Sequence, residues 1–305
     1  MSLNLINTRI LSDPFEFFEP SSVEEAINIL DKHKEHAAIL AGGTDLLVRM
    51  KQKRINPKCL VNIKRIAELK AIEQDENIVR IGATATMLEI QRNNLVEKKL
   101  PILHEAIASV GSVQIRNMGT LGGNLCRASP SGDSLPPLLV LDAKVNLRDS
   151  KGTRVVPLDE FFKGPGRTVI KPNEILTEIY VPIPPSGTGM SFLKIKRAGM
   201  DLAKVNAAAL LTIKDNVVQS CGIALGAVAP TPIRIRKAEA SLIGKKATDE
   251  KLAEAAQTAS EEVRPYAESH RHKRSTAQYR IEVSAVLVGR ALKLARERSA
   301  GRKSE

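Results

Sequence analysis

The residues best placed to do chemistry are glycines. Ala41-Gly42-Gly43-Thr44-Asp45 and Gly119-Thr120-Leu121-Gly122-Gly123-Asn124 share one design, adjacent glycines with a hydroxyl residue nearby. Paired glycines permit positive φ and let successive backbone N–H groups converge on an anion, and the threonine hydroxyl adds a donor. Two such turns suit a pyrophosphate. Leu46, Leu47 and Met50 then suggest a short helix after Asp45, whose positive end aims at the same point. Either turn alone reads as a turn; both in one half of the chain read as a site. No G-x-x-x-x-G-K-[ST] occurs and no G-x-G-x-x-G follows a strand, so a nucleotide triphosphatase and a dinucleotide site of Rossmann type are both disfavoured.

Other chemistries are poorly supplied. Cys59, Cys126 and Cys221 lie far apart without a C-x-x-C, which reads as free thiols in a reducing compartment and gives an iron-sulfur cluster nothing to hold it. The histidines form no H-E-x-x-H and no zinc spacing; His270 and His272 belong to a basic run at 270–274 that reads as a solvated loop. Lys and Arg number 46 against 34 acids, a formal net charge of +12. Such a balance fits nucleic acid, an acidic partner or a phosphate-bearing ligand. Aromatics at 3% with no Trp leave few stacking platforms for single strands. No apolar run reaches the ~20 residues of a membrane span and the N-terminus lacks a signal h-region, so a soluble, cytoplasmic protein is expected.

With 305 residues, 43% hydrophobic and 26% charged, the chain is expected to fold as two domains. Ser22 and Glu25 read as a capping box opening an amphipathic helix of Val23, Ala26, Ile27 and Leu30. Strands are expected at 37–40, 59–63, 78–83, 145–147, 153–156 and 175–183, and helices at 87–97 and 101–110. The segment 111–133 holds five of the 19 glycines and reads as a structured loop or a set of tight turns, with Asp133 opening a helix through 135–141. After a linker at 184–189 come strands at 191–197, 205–213 and 217–229, the last two joined by a Lys214-Asp215-Asn216 turn. Helices follow at 232–242, at 248–263 capped by Thr248, and at 275–296 with Ser275 and Gln278 as a capping box. The last carries a core stripe of Ile281, Ala285, Val288, Leu292 and Ala295, and 296–305 reads as a frayed tail.

Longer motifs run in order along nearly the whole chain. They are Leu40-Ala41-Gly42-Gly43-Thr44-Asp45-Leu46, Ile81-Gly82-Ala83-Thr84, Gln114-Ile115-Arg116-Asn117-Met118 leading into the second glycine turn, and Ser129-Pro130-Ser131-Gly132-Asp133-Ser134. Glu174-Ile175-Leu176, the segment 192–205 with Arg197 and Asp201-Leu202-Ala203, and Tyr279-Arg280 continue the series. Together they resemble the flavin-binding subunit of the molybdenum hydroxylases, that is the medium subunit of aerobic carbon monoxide dehydrogenase and the flavin domain of xanthine dehydrogenase. The resemblance implies an α+β fold. A two-lobed PCMH-type (vanillyl-alcohol-oxidase-like) FAD-binding domain would cover 1–185, with lobes about 1–65 and 66–185. A smaller C-terminal α/β domain of antiparallel sheet and helices, like that of the carbon monoxide dehydrogenase flavoprotein, would cover 190–298, and 299–305 a frayed tail.

The resemblance further implies non-covalently bound FAD. Ala41, Gly42, Gly43, Thr44, Asp45 and Leu46 would wrap the pyrophosphate through backbone N–H groups, together with Gly119, Thr120, Leu121, Gly122, Gly123 and Asn124. Val110 would line the nucleotide pocket and Leu176 would cover the flavin ring, or be ordinary strand core. Asp133 would accept from sugar or ribityl hydroxyls, or cap the following helix. The basic position beside the flavin falls on Lys194 or, shifted by one, on Leu193; a solvated strand lysine is the plainer reading of Lys194. Arg197 and Asp201 would face the route to the electron acceptor or form a surface ion pair. The implied partners are a small subunit with two [2Fe-2S] clusters and a large molybdenum-cofactor subunit, in a heterotrimer that pairs. Electrons would pass from the clusters through FAD to a final acceptor, with no catalytic acid or base required here. Two rivals remain at this level: a stand-alone FAD-dependent oxidoreductase, for which His104 and Cys126 match no known covalent attachment motif, and a basic nucleic-acid-binding module, which leaves the paired glycine turns unexplained.

Overall fold

The structure is a computed structural model that describes residues 11, 13–265 and 275–301. The basic run at 270–274 and residues 302–305 of the expected tail lie outside the described residues. The first lobe is a three-stranded parallel sheet of order β1-β3-β2, from β1 (Glu16–Phe18), β2 (Ala37–Leu40) and β3 (Cys59–Asn62). Parallel neighbours need crossovers, and α1 (Val23–His33) and α2 (Leu46–Lys51) lie in them. Ser22 caps α1 by accepting from the Glu25 N–H at 3.1 Å. The return arm of the expected box goes elsewhere: Glu25 accepts from the N–H and hydroxyl of Ser21. Val23, Ala26, Ile27 and Leu30 close a small core with Cys59 and Val61.

The second lobe is a five-stranded antiparallel sheet. It runs β4 (Ile72–Asp75), β5 (Ile78–Gly82), β6 (Lys144–Asp149) and β7 (Gly152–Pro157), and is completed by β10 (Ile175–Pro182) in the order β4-β5-β10-β6-β7. The short pair β8 (Phe162–Gly164) and β9 (Arg167–Thr168) precedes β10. Between β5 and β7 the chain forms α3 (Met87–Gln91), α4 (Asn94–Lys99), α5 (Pro101–Ala108), α6 (Val113–Met118), α7 (Leu121–Arg127) and α8 (Leu135–Val140), and α9 (Leu158–Phe161) follows β7. The single helix expected at 87–97 is therefore two. Asn93 takes an extended conformation and its side chain accepts from the N–H groups of Leu95 and Val96, a local bond that competes with helix continuation. The glycine-rich segment 111–133, expected as loop and turns, contains the two short helices α6 and α7.

The third layer is a four-stranded antiparallel sheet of order β11-β12-β13-β14, from β11 (Thr188–Ile195), β12 (Val205–Lys214), β13 (Val217–Gly226) and β14 (Ile233–Arg234). Asp215 and Asn216 both take positive φ, 53° and 60°, as the primed two-residue hairpin turn requires. Helices α10 (Arg236–Leu242), α11 (Asp249–Glu262) and α12 (Ala277–Ser299) cover one face. The helix expected from 232 begins later because 233–234 pair with β13. Thr276, not Ser275, caps α12 by accepting from the Tyr279 N–H, Gln278 donates to Glu282 instead, and 296–299 are helical rather than frayed. Among the described residues no helix is long and apolar enough to cross a membrane.

Strand parity decides what this sheet faces. Side chains alternate between the two faces of a strand. Met190, Phe192, Ala208 and Leu210 pack into the core of the second lobe, while Leu193, Ile195, Ala207, Ala209 and Leu211 pack under α10 to α12. Burial on both faces explains why β12 is apolar without interruption from Ala207 to Leu211. Asn93→Ala is expected to lower stability by about 1 kcal/mol, the usual loss of an N-cap, read as a lower urea midpoint at constant slope.

Candidate functional site

The first glycine turn leads from β2 into α2. Gly43 has φ +73°, the left-handed region that glycine occupies without strain. Gly42 is required for a different reason: a Cβ there would lie 2.2 Å from the Met118 carbonyl oxygen, so the two glycine turns meet backbone to backbone. Among the described residues the N–H groups of Gly42, Gly43, Thr44 and Asp45 find no acceptor, and they border the same cavity. Backbone donors are obligatory hydrogen-bonding groups. An anionic or carbonyl-rich ligand would satisfy them.

The second turn is built otherwise. Thr120 caps α7 by accepting from the Gly123 N–H at 3.1 Å; Gly122 and Gly123 are helical and Gly119 is extended, with none at positive φ. Leu121 N–H donates to Ala85, Gly122 N–H to Ala83 and Asn124 N–H to Thr120, so these donors are engaged within the protein. A Cβ on Gly122 would stand 2.6 Å from the Ala83 carbonyl oxygen, which makes this glycine a packing requirement against the end of β5. The expected convergence of N–H groups therefore belongs to the first turn. The second presents an almost side-chain-free wall, with the Thr120 and Asn124 side chains at its edge. Asn124 Oδ1 accepts from Ser134 at 2.7 Å, and Arg127 Nε donates to Asp45 at 3.0 Å, tying the second turn to the first.

A cavity of about 590 Å³ lies between these turns, the loop 129–133, the segment before β10 and the end of β11. Ala41, Gly42, Gly43, Thr44, Asp45, Leu46, Val110, Gly119, Thr120, Gly122, Gly123, Asn124, Asp133, Leu176 and Lys194 all line it. Leu121 does not: it is 0% exposed and packs in the core of the second lobe. Leu176, expected either in the site or in the core, is in both. Arg197 and Asp201 form an ion pair at 2.6 Å in the loop after β11, and Arg197 is largely exposed.

Lys194 is no solvated lysine. Its Nζ donates to Asp133 Oδ2 at 2.6 Å and to the Ser109 carbonyl at 3.1 Å, and the two side chains are 5% and 4% exposed. Parity turns Lys194 toward the cavity with Met190 and Phe192, and turns Leu193 to the opposite face. Asp133 does not cap α8; Ser134 holds that position and makes no side-chain cap bond. The Asp133 carboxylate instead bonds Lys194 and the Asn206 amide. Burial pushes its carboxyl above the ordinary carboxylate range, against the pull of the Lys194 ammonium. Sequence reasoning assigned no role to Asn206 or Arg127. A period-2 reading of β11 and β12 would have aligned Lys194 with Asn206. Cys126 is an exposed residue that lines the cavity. His104 is not among the lining residues.

At the far wall, Glu174 is 2% exposed and accepts from Arg154 Nε and Nη2 at 2.7 and 2.8 Å and from the Lys171 N–H at 2.8 Å. Burial alone would raise its carboxyl, but the Arg154 and Lys171 contacts outweigh it and hold the group below the ordinary range. A lowered carboxylate stabilises the fold above its unfolded pKa, and that stability is lost as pH falls through the folded value. Arg154→Ala is expected to lower stability by about 1–3 kcal/mol at neutral pH and to move the acid-unfolding limb to higher pH, read by urea melts across pH. Gly122→Ala is expected to cost about 1–3 kcal/mol by overpacking against Ala83. Gly123→Ala, whose Cβ would meet only the Thr120 hydroxyl, is expected to cost less in the same melt.

Residues 13–184 match the model for the FAD binding domain in molybdopterin dehydrogenase, and residues 190–295 match the CO dehydrogenase flavoprotein C-terminal domain. The carbon monoxide dehydrogenase medium chain of Hydrogenophaga pseudoflava is 35% identical over 286 residues, covering 94% of this chain and 98% of that one. The nicotinate dehydrogenase FAD-subunit of Eubacterium barkeri is 34% identical over 244 residues, 78% of this chain and 82% of its own. Among solved structures, a carbon monoxide dehydrogenase from Hydrogenophaga pseudoflava superposes with a TM-score of 0.89 at 36% identity, over 92% of this chain and 97% of that chain. Quinoline 2-oxidoreductase from Pseudomonas putida 86 does so with a TM-score of 0.87 at 30% identity, over 93% and 98%. With both of its domains matched over their length, the chain belongs to the FAD-binding medium subunits of the molybdenum hydroxylase family, as an electron-transfer flavoprotein component of an oxidoreductase.

Proposed function

We propose that the cavity holds FAD non-covalently and that the chain passes electrons from [2Fe-2S] clusters to a final acceptor. The observation that carries this reading is the pairing, in one cavity, of a backbone cradle at Gly42 to Asp45 with a buried ammonium at Lys194. The free N–H groups of the first turn suit a pyrophosphate, and the bare wall of α7 lets it approach closely. Val110 and Leu176 offer apolar surface to the ring systems. When bound, the flavin accepts electrons and releases them; the protein holds it, excludes water and sets its electrostatics. Lys194 places an ammonium in the cavity wall, which would favour the reduced, more negative state of a flavin held there. A non-covalent mode agrees with the position of His104 outside the cavity.

We further propose a small [2Fe-2S] subunit and a large molybdenum-cofactor subunit as partners, in a heterotrimer that pairs. Support comes from the relatives, which are named as the medium chain or FAD-subunit of dehydrogenases. The proposed domain limits are 1–185 and 190–298. A cytoplasmic setting is the natural one for Cys59, Cys126 and Cys221, all free thiols. The test is to tag this chain in its own host, purify it, and measure extracted FAD, iron, acid-labile sulfide and molybdenum. FAD and metals with two co-purifying chains are the expected result. FAD on a lone, active chain would favour a stand-alone oxidoreductase, and a chain without flavin would contradict the reading.

A further inference from the structure

Lys194 and Asn206 stand directly opposite one another on β11 and β12, and Asn206 stands opposite Gly226 on β13. All three positions share the sheet face that meets the loop 129–133. Asn206 is 0% exposed, its Nδ2 donates to Asp133 Oδ1 at 2.9 Å, and its Oδ1 is buried without a donor among the described residues. An unpaired buried carbonyl oxygen is costly, and that cost is set against the bond the same amide makes to Asp133. The residue opposite is a glycine, and a Cβ at Gly226 would fall 2.1 Å from that same Oδ1. The sheet leaves room for this one side chain.

Donor counting shows what the amide does. An ammonium has three N–H donors. Lys194 uses one on Asp133 Oδ2 and one on the Ser109 carbonyl, which leaves one for the cavity it lines. Asp133 Oδ1 also needs a donor, because a buried carboxylate is tolerated only when its oxygens are bonded. Asn206 supplies that donor. Without it, Oδ1 is left to draw a second N–H from Lys194, and the ammonium turns away from the cavity.

We propose that Asn206 is a positioning residue for the cofactor: by satisfying Asp133 Oδ1 it keeps one Lys194 N–H directed into the cavity. The inference rests on the FAD reading above and assigns Asn206 a role that acts only through Lys194. The test is a double-mutant cycle on the full chain, with FAD dissociation constants measured by flavin fluorescence and folding checked by thermal melts. Asn206→Leu, close to isosteric, is expected to raise the FAD dissociation constant about tenfold. In the Lys194→Met background the same substitution is expected to change it less than twofold. Gly226→Ala, which displaces the Asn206 amide without removing it, is expected to give a loss of the same sign and is the second variant should Asn206→Leu not fold. An unchanged constant in the folded variant, or an equal loss in both backgrounds, would overturn the inference. A wild-type chain that takes up no FAD would instead overturn the reading on which it rests.

Discussion

The ion pair between Asp133 and Lys194 joins two domains inside the wall of one cavity, and much of the site's geometry depends on it. Asp133 lies in the loop that follows α7, whereas Lys194 is the penultimate residue of the first strand of the C-terminal sheet. Neither charge is tolerable alone in that environment, since removing one partner of a buried pair commonly costs 3–5 kcal/mol. The pair adds a buried polar contact to the apolar seam that Met190, Phe192, Ala208 and Leu210 make with the second lobe. A neighbouring contact reinforces it: the Ala227 N–H donates to the Pro130 carbonyl at 2.6 Å.

The two glycine turns divide their labour in a way their similar sequences conceal. One leaves its backbone donors free and so can grip an anion; the other engages its donors in a helix and on the Ala83 and Ala85 carbonyls just after β5, and so forms a shallow wall. Gly42 lies at the junction, where any side chain would collide with Met118. The shared cavity exists because these two backbones touch. Arg127 then crosses from the wall to Asp45 at the start of α2, so the positive surface expected of an anion site is in part neutralised within the protein.

Much of this was legible in the sequence, for physical reasons that differ between elements. Apolar periodicity located α1, β2, β3 and β10, and the Asp215-Asn216 turn located the hairpin, because these signals are local. The glycine turns, Leu121 apart, line one cavity together with Asp133 and Leu176 from the longer motifs. What local signals could not supply was tertiary: Gly122 looked like a turn residue but is a contact with Ala83, and Asp133 looked like a helix cap but answers a lysine 61 residues away. Lys194 looked solvated because a lone strand lysine usually is. Asn206 gave no sign of a role, since an asparagine in an alanine-rich strand becomes meaningful only once β11 is set beside β12 in register. Short helices α6 and α7 escaped notice because glycine content outweighs periodicity over so few residues.

The central claim is that this cavity holds FAD. Its most direct test is the absorption spectrum of the purified full-length chain, before and after incubation with FAD and removal of the excess. The account predicts retained flavin bands in the near-ultraviolet and the blue, at about one FAD per chain. A folded chain that stays colourless after incubation would contradict it.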